Sequence, residues 1–381
     1  YDLRTVSVWN FDNAPWRAAP RVLAQMDVTY DDGTRDRFVT DGGWRHVEPK
    51  VAYDCIREGE VVGIRRPEAP DLQQRPLAAM VVPPPAGRLC AARLPPSRIT
   101  REFAPSALRS PAPGVWVAEF PQNVAGWVRL RLREQPSGTV VTVRYGERLR
   151  ADGRLDQWPI SCFFKHSGAF RVVRGGGFQT DRIVARGLPV ETFEPTFVYH
   201  GFQYAEIEGL ANPPQPEDVR ACVVHTDFRD AGGFKSDVDL LNRLFEAVRW
   251  SYRGNFVNGY PTDCPHREKN GWTGDAHLAA EFAMYAFDNT AAYAKWVWDL
   301  LDEQQPDGRL PGIVPTSGWG YQWGNGPAWD SALLMIPWLL YVYRGDRACL
   351  AEAYEGMRRY VDYLGTCASN GIVRFGLGDW I

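Results

Sequence analysis

No stretch of this chain approaches the roughly 18 consecutive apolar residues of a membrane-spanning helix, so no membrane partner is expected. Charge of one sign is missing too. The 43 basic and 46 acidic residues leave a formal net charge of −3, with no basic stripe. That balance recommends neither a nucleic-acid backbone nor an anionic surface as partner. Cysteine is sparse: seven residues, at 55, 90, 162, 222, 264, 349 and 367, include no Cys-x-x-Cys pair. The odd count and low density exclude a disulfide scaffold and read as separate thiols, with a single bridge left open. His266 and His277 have no further Cys or His to complete a zinc spacing, and no EF-hand-like loop is present. No metal and no cofactor are therefore expected. Gly175-Gly176-Gly177 lacks the lysine and strand–turn–helix context of a phosphate loop, and Ser97 and Ser161 lack a Gly-x-Ser-x-Gly elbow. The start, Tyr1-Asp2-Leu3-Arg4, shows neither an initiator Met nor a signal-peptide pattern, which leaves the compartment unassigned.

Aromatic residues, in contrast, are plentiful, with 15 Trp and 16 Tyr in 381 residues. Planar rings with a polar handle suit sugars, and large cores use them as readily. The length exceeds one core, so two or three domains are expected. Residues 1–210 read mainly as β structure. Val28, Tyr30 and Phe38 flank the turn Asp31-Asp32-Gly33, and Trp44 follows a second turn at Asp41-Gly42-Gly43. A proline-rich break over 67–96 reads as linker or edge, because proline lacks the ladder donor. Val115 and Val117 alternate, 127–132 forms another strand candidate, and Val141, Val143 and Tyr145 share a face. Phe193, Phe197 and Tyr199 alternate ahead of Phe202, Tyr204 and Ile207. A β-sandwich of about 120 residues is the natural reading. After Pro213-Pro214 the period becomes helical, with Leu240, Leu241, Leu244, Phe245 and Val248 on one stripe. Further helices are expected near 275–288, 290–303, 328–344 and 349–366, packed helix on helix.

Two loops, 253–274 and 304–327, exceed ordinary connection lengths. The first gathers Asp263, His266, Arg267, Glu268, Lys269 and Asp275 around Trp272. A carboxylic acid that donates a proton at neutral pH needs its pKa raised by apolar walls or a second carboxylate. Glu268 stands beside Trp272 and five residues after Asp263, which meets both conditions in outline. Arg267 offers a rigid fork for a carboxylate or for hydroxyls. On residue types alone, a solvated and internally paired loop fits slightly better than a site. The second loop carries Asp307, Trp319, Tyr321, Trp323 and Asn325 before Trp329-Asp330. A sugar platform and packing of that loop on its own scaffold fit it equally.

The order of motifs resembles the bacterial α-L-rhamnosidases over most of the length. Thr40-Asp41-x-x-Trp44 resembles the end of their N-terminal β domain. Pro113-Gly114-Val115-Trp116, Gln122-Asn123, Ala125-Gly126-Trp127-Val128 and Arg144-Tyr145-Gly146-Glu147 resemble their β-sandwich module, and His200-Gly201-Phe202 the strand pair closing it. His225-Thr226-Asp227-Phe228 and Arg253-Gly254-Asn255-Phe256 lead to the most specific string, Pro261-Thr262-Asp263-Cys264-Pro265-His266-Arg267-Glu268-Lys269-Asn270-Gly271-Trp272-Thr273-Gly274-Asp275.

The resemblance implies a multidomain chain, β then α, truncated at both ends: β-sandwich domains followed by an incomplete (α/α)6 six-hairpin barrel. Its divisions fall at 1–80 (end of the N-terminal β domain), 81–212 (β-sandwich module) and 213–381 (first part of the catalytic barrel). It implies hydrolysis of terminal non-reducing α-L-rhamnose with inversion, on rhamnose-containing glycosides or polysaccharides, without a cofactor. The family's general acid falls on Glu268, and its rhamnose-binding residues on Asp263, Arg267 and Trp272. Trp329, Asp330, Asp379 and Trp380 fall on later barrel motifs facing the pocket. Trp272 is expected to wall the C6 methyl, a group worth roughly 1 kcal/mol when desolvated. Asn270 stands where Leu is common, and Pro121 where Gly is usual. The family's general base is a glutamate later than anything aligned to Trp380, so the 381 residues are expected to lack it and to be inactive alone. The rivals are an (α/α)6 glycosidase for another sugar and a non-catalytic carbohydrate-binding protein. Retention of Asp263, Arg267, Glu268 and Trp272 weighs against the second.

Overall fold

A computed structural model describes residues 21–47, 50–63, 77–84, 87, 89–161, 177–316, 320–321 and 326–378. The Asp31-Asp32-Gly33 turn closes a hairpin of Gln25–Thr29 and Arg35–Val39, as its residue types require. The main β unit is one ten-stranded sheet, in the order Val51–Cys55, Gly59–Val62, Thr180–Val184, Val140–Gly146, His200–Glu208, Val115–Arg133, Val219–Thr226, Ser97–Phe103. Ala107–Ala112 and Val190–Phe193 also pair with Val115–Arg133.

The separate strands expected near 115 and 127–132 are a single strand of 19 residues. Its first half pairs with 107–112 and 200–208, its second with 190–193 and 219–226. Gly126 allows the strand to run through, because a Cβ there would lie 1.8 Å from the Cys222 carbonyl oxygen. Both halves feed one core, in which Phe120, Val124, Val128 and Leu130 meet Val141, Val143, Tyr145, Phe202 and Ile207. Phe197, expected in alternation with Phe193, is exposed and lies outside any strand. The Glu60 carboxylate takes the N–H groups of Thr196 and Phe197 and holds the chain there as a turn. Within this core the Tyr145 hydroxyl donates to Asp181 at 2.7 Å, and His200 Nε2 lies 3.2 Å from the same carboxylate. All three side chains are shut off from solvent, and the contacts pair the Tyr145 hydroxyl, the Asp181 carboxylate and His200 Nε2 inside the core.

The second half is helical. Helices α1 (Asp239–Gly254), α2 (Thr273–Ala286) and α3 (Thr290–Glu303) fall where the periodicity predicts. The single helix expected near 328–344 is divided at Ser331 into α4 (Pro327–Asp330) and α5 (Ala332–Arg344), and α6 (Arg347–Cys367) follows as expected. Gly345, with φ +67°, ends α5, and Asp346 caps α6 by accepting the Cys349 N–H at 3.0 Å. Trp296, Val297, Leu300, Leu333, Ile336, Leu340 and Tyr360 fill the interior of an incomplete (α/α)6 six-hairpin barrel. The stripe Leu240, Leu241 and Leu244 does not join it. These side chains are exposed, and α1 buries Arg249 and Tyr252 instead. Trp338 and Val342 on α5 are exposed as well. Among the described residues no helix is long and apolar enough to cross a membrane. Cys55, Cys90, Cys222, Cys264, Cys349 and Cys367 are free thiols, and Cys162 lies outside the described residues.

Candidate active site

The 261–272 loop joins a small ladder, Phe256–Val257 with Tyr260–Pro261, to the start of α2. It is closed on itself rather than solvated. The Asp263 N–H donates to the Asn270 carbonyl at 3.0 Å, and the Asn270 N–H returns a 3.0 Å bond to Asp263 Oδ1. The Cys264 thiol donates to Asp263 Oδ2 at 3.1 Å and accepts the Glu268 N–H at 3.3 Å. Lys269, at φ +55°, makes the reversal. The loop's end then zips onto 312–314: the Val314 N–H donates to the Gly271 carbonyl at 2.8 Å, and Trp272 bridges Ile313. Gly271 is required by this approach, since a Cβ would lie 2.0 Å from the Val314 carbonyl oxygen.

Glu268 is 3% exposed. Each of its carboxylate oxygens faces a donor: Trp272 Nε1–H at 2.8 Å on one and the Arg267 guanidinium at 3.2 Å on the other. Asp263 is the carboxyl whose pKa stands well above the usual range, raised by burial first and then by the Cys264 thiol and Glu268. Asp263 is desolvated inside the loop turn, and burial disfavours the charged form of a carboxyl.

Trp272 shares one apolar cluster with Ile313, Trp329 and Leu377, so two of the tryptophans singled out in the sequence come together. The Trp329 indole lies over Gly274, where a Cβ would approach the ring to 2.8 Å. Asp330, at the end of α4, is buried; burial pushes its pKa up to about 8, and its Oδ1 makes no hydrogen bond among the described residues. Asp379 and Trp380 lie outside the described residues, as do Trp319, Trp323 and Asn325 of the second loop. Tyr321 and Asp307 of that loop serve its packing: the Tyr321 hydroxyl donates to the Glu303 carbonyl at 2.6 Å, and Asp307 pairs with Arg309 at 2.8 Å. Among the described residues no three His, Cys, Asp or Glu side chains gather as a metal site.

The β unit also reaches the loop, most directly through Arg57, which the sequence did not single out. Arg57 Nη2 donates to the Glu268 carbonyl at 2.7 Å and to Asn270 Oδ1 at 3.2 Å. Lys269 Nζ donates to the carbonyls of Ile56 and Tyr199 and sits over the Tyr199 ring; burial, then the nearby Arg57, lowers its pKa to about 7. His266 packs on Gly201, with Nε2 3.8 Å from Glu147. No local pattern marks Arg57, because its partners are 211 and 213 residues away.

Comparison with known proteins matches two adjoining regions to family descriptions. Residues 109–225 match the bacterial alpha-L-rhamnosidase concanavalin-like domain, and 229–381 the bacterial alpha-L-rhamnosidase 6 hairpin glycosidase domain. The chain is 33% identical to an alpha-L-rhamnosidase of Streptomyces avermitilis and 31% identical to one of Formosa agariphila, each over 95% of its own length. It spans 34% and 38% of those relatives, about a third of their length. Among solved structures it is similar to the alpha-L-rhamnosidase of Dictyoglumus thermophilum (TM-score 0.84, 33% identity, 94% of this chain and 39% of that one). The Streptomyces avermitilis alpha-L-rhamnosidase complexed with L-rhamnose gives a TM-score of 0.81 at 31% identity, over 94% of this chain and 34% of that one. With both regions matched in the same order, and with the fold shared across nearly all of its length, the chain belongs to the bacterial α-L-rhamnosidase family.

Proposed function

We propose that the protein is a glycoside hydrolase that removes terminal non-reducing α-L-rhamnose from rhamnosides with inversion, and that Glu268 is its general acid. The observation that carries this reading is the Glu268 carboxylate, gripped by Trp272 and Arg267 beside an apolar Trp272–Trp329 cluster. The family's most specific string surrounds it, and a relative of similar fold is described in complex with L-rhamnose. A sugar with a methyl at C6 suits a site that offers aromatic faces beside polar groups. In this reading Asp263 and Arg267 take ring hydroxyls, while Trp272 and Trp329 wall the methyl face. The resemblance adds Asp330, Asp379 and Trp380 as further substrate-binding residues. Inversion requires a second carboxylate roughly 6.5–9.5 Å from the acid to activate water, and the reading assigns no residue of this chain to that role. The same reading divides the chain at 1–80, 81–212 and 213–381, whereas the two matched regions, 109–225 and 229–381, meet later, at about 226–228.

The test is Glu268→Gln in the full-length protein. Loss of a general acid is expected to lower kcat by roughly 10²–10⁴-fold on rhamnosides with poor leaving groups, and far less on activated ones. Near-wild-type turnover of naringin by the variant would remove Glu268 from the role. A panel of aryl glycosides checks the sugar: comparable rates on another glycone would displace rhamnose as the substrate.

A further inference from the structure

The turn at 56–58 lies between the strands Val51–Cys55 and Gly59–Val62, and it is a fixed platform. The Gln179 N–H donates to the Arg57 carbonyl at 3.0 Å, and the Thr180 N–H to the Glu58 carbonyl at 2.5 Å. The Tyr53 hydroxyl donates to the Glu58 carboxylate at 2.5 Å. Gly59, at φ +128°, passes so near Thr180 that a Cβ would lie 2.1 Å from its carbonyl oxygen. From this platform Arg57, 7% exposed, sends Nη2 to the Glu268 carbonyl and to Asn270 Oδ1, while the Ile56 carbonyl receives Lys269 Nζ. Three consecutive loop residues, 268 to 270, are thus tied to two consecutive residues of the turn.

Desolvating a guanidinium is costly, and these hydrogen bonds of Arg57 go to two neutral acceptors on the loop. Their effect is geometric. They fix the backbone that bears the Glu268 side chain, which Trp272 then holds from the other end.

We propose that Arg57 is a positioning residue for the general acid, acting through the Glu268 carbonyl and the Asn270 amide. The β unit is then part of the catalytic apparatus and not only a neighbouring module. The inference rests on Glu268 being the acid. It also gives the departure at position 270 a role, since the Leu common there in the family would leave Arg57 with the Glu268 carbonyl as its one acceptor in the loop.

The experiment compares phenyl and 2,4-dinitrophenyl α-L-rhamnosides as substrates of the full-length wild type, Arg57→Ala, Asn270→Leu and Glu268→Gln. A displaced acid penalises only a leaving group that needs its proton. Arg57→Ala is expected to lower kcat on the phenyl substrate by about 10- to 100-fold, with KM little changed, and on the dinitrophenyl substrate by less than about threefold. Added guanidinium ion is expected to restore part of the loss. Asn270→Leu should move the same way by a smaller factor. Equal losses on both substrates, or no loss, overturn the inference. Should Arg57→Ala fail to fold, Arg57→Lys and Asn270→Leu decide it by the same ratio of substrates. If Glu268→Gln itself shows no dependence on the leaving group, the acid assignment fails and takes this inference with it. If Glu268→Gln shows the dependence and the Arg57 and Asn270 variants do not, only this inference fails.

Discussion

The indole N–H of Trp272 donates to Glu268 Oε2 at 2.8 Å, linking two side chains four residues apart across the junction of loop and helix. One residue therefore has two functions. Its face packs with Ile313 and Trp329, and its edge orients a carboxylate. Trp272→Phe keeps most of the face and deletes the donor. A hydrogen bond contributes about 0.5–1.5 kcal/mol net, so kcat on naringin is expected to fall by about 2- to 10-fold. Unchanged kcat in this variant would show that the bond has no part in orienting Glu268.

Gly271 and Gly274 separate structural from local effects. A Cβ at Gly271 would meet the Val314 carbonyl oxygen at 2.0 Å, and backbone cannot swing away as a side chain can. Gly271→Ala is expected to cost about 2 kcal/mol or more, by breaking the loop's bond to 312–314. A Cβ at Gly274 would meet the Trp329 ring at 2.8 Å, and that half-buried indole can tilt. Gly274→Ala should be the milder change in denaturant midpoint. The reverse order would contradict the packing described.

Asp330 sets a pH dependence of stability. Burial raises its folded pKa to about 8 from an ordinary 3.8, so the folded state holds this proton more tightly than the unfolded chain. The stability it contributes is complete below about 3.8 and is lost as pH rises through about 8. Asp330→Asn removes that slope. Urea midpoints at pH 5 and pH 8 should shift in favour of the variant at the higher pH, and a difference independent of pH would exclude the mechanism.

Inversion makes the first-formed product β-L-rhamnose, visible by proton NMR before mutarotation. Appearance of the α anomer first would instead mean a retaining mechanism, with its two carboxylates about 5–5.5 Å apart.

The proposed reading assigns the general base to no residue of this chain, so the 381 residues expressed alone are expected not to hydrolyse p-nitrophenyl α-L-rhamnoside. Measurable turnover that Glu268→Gln abolishes would place both catalytic groups within this segment.

Local pattern alone determined much of this protein. Asp31-Asp32-Gly33 specified a hairpin, alternation put Val141, Val143 and Tyr145 on one buried face, and the helical period located α1, α2, α3 and α6 together with the span that divides into α4 and α5. The charged string around Glu268 marked the site, although residue types alone made it slightly more a solvated loop than a catalytic one. Tertiary structure decided the rest. Whether two candidate strands near 115 and 130 were one depended on Gly126 passing against the Cys222 carbonyl. Whether Leu240, Leu241 and Leu244 were covered depended on neighbours that periodicity does not encode. Burial raises the Asp263 carboxyl because the loop turns inward around it. The tie from Arg57 to Glu268 crosses 211 residues and ends on a backbone carbonyl, which every residue possesses. Periodicity reports which face of an element is apolar. It carries no record of which distant donor will find a given carbonyl, since that is set only when separate elements pack.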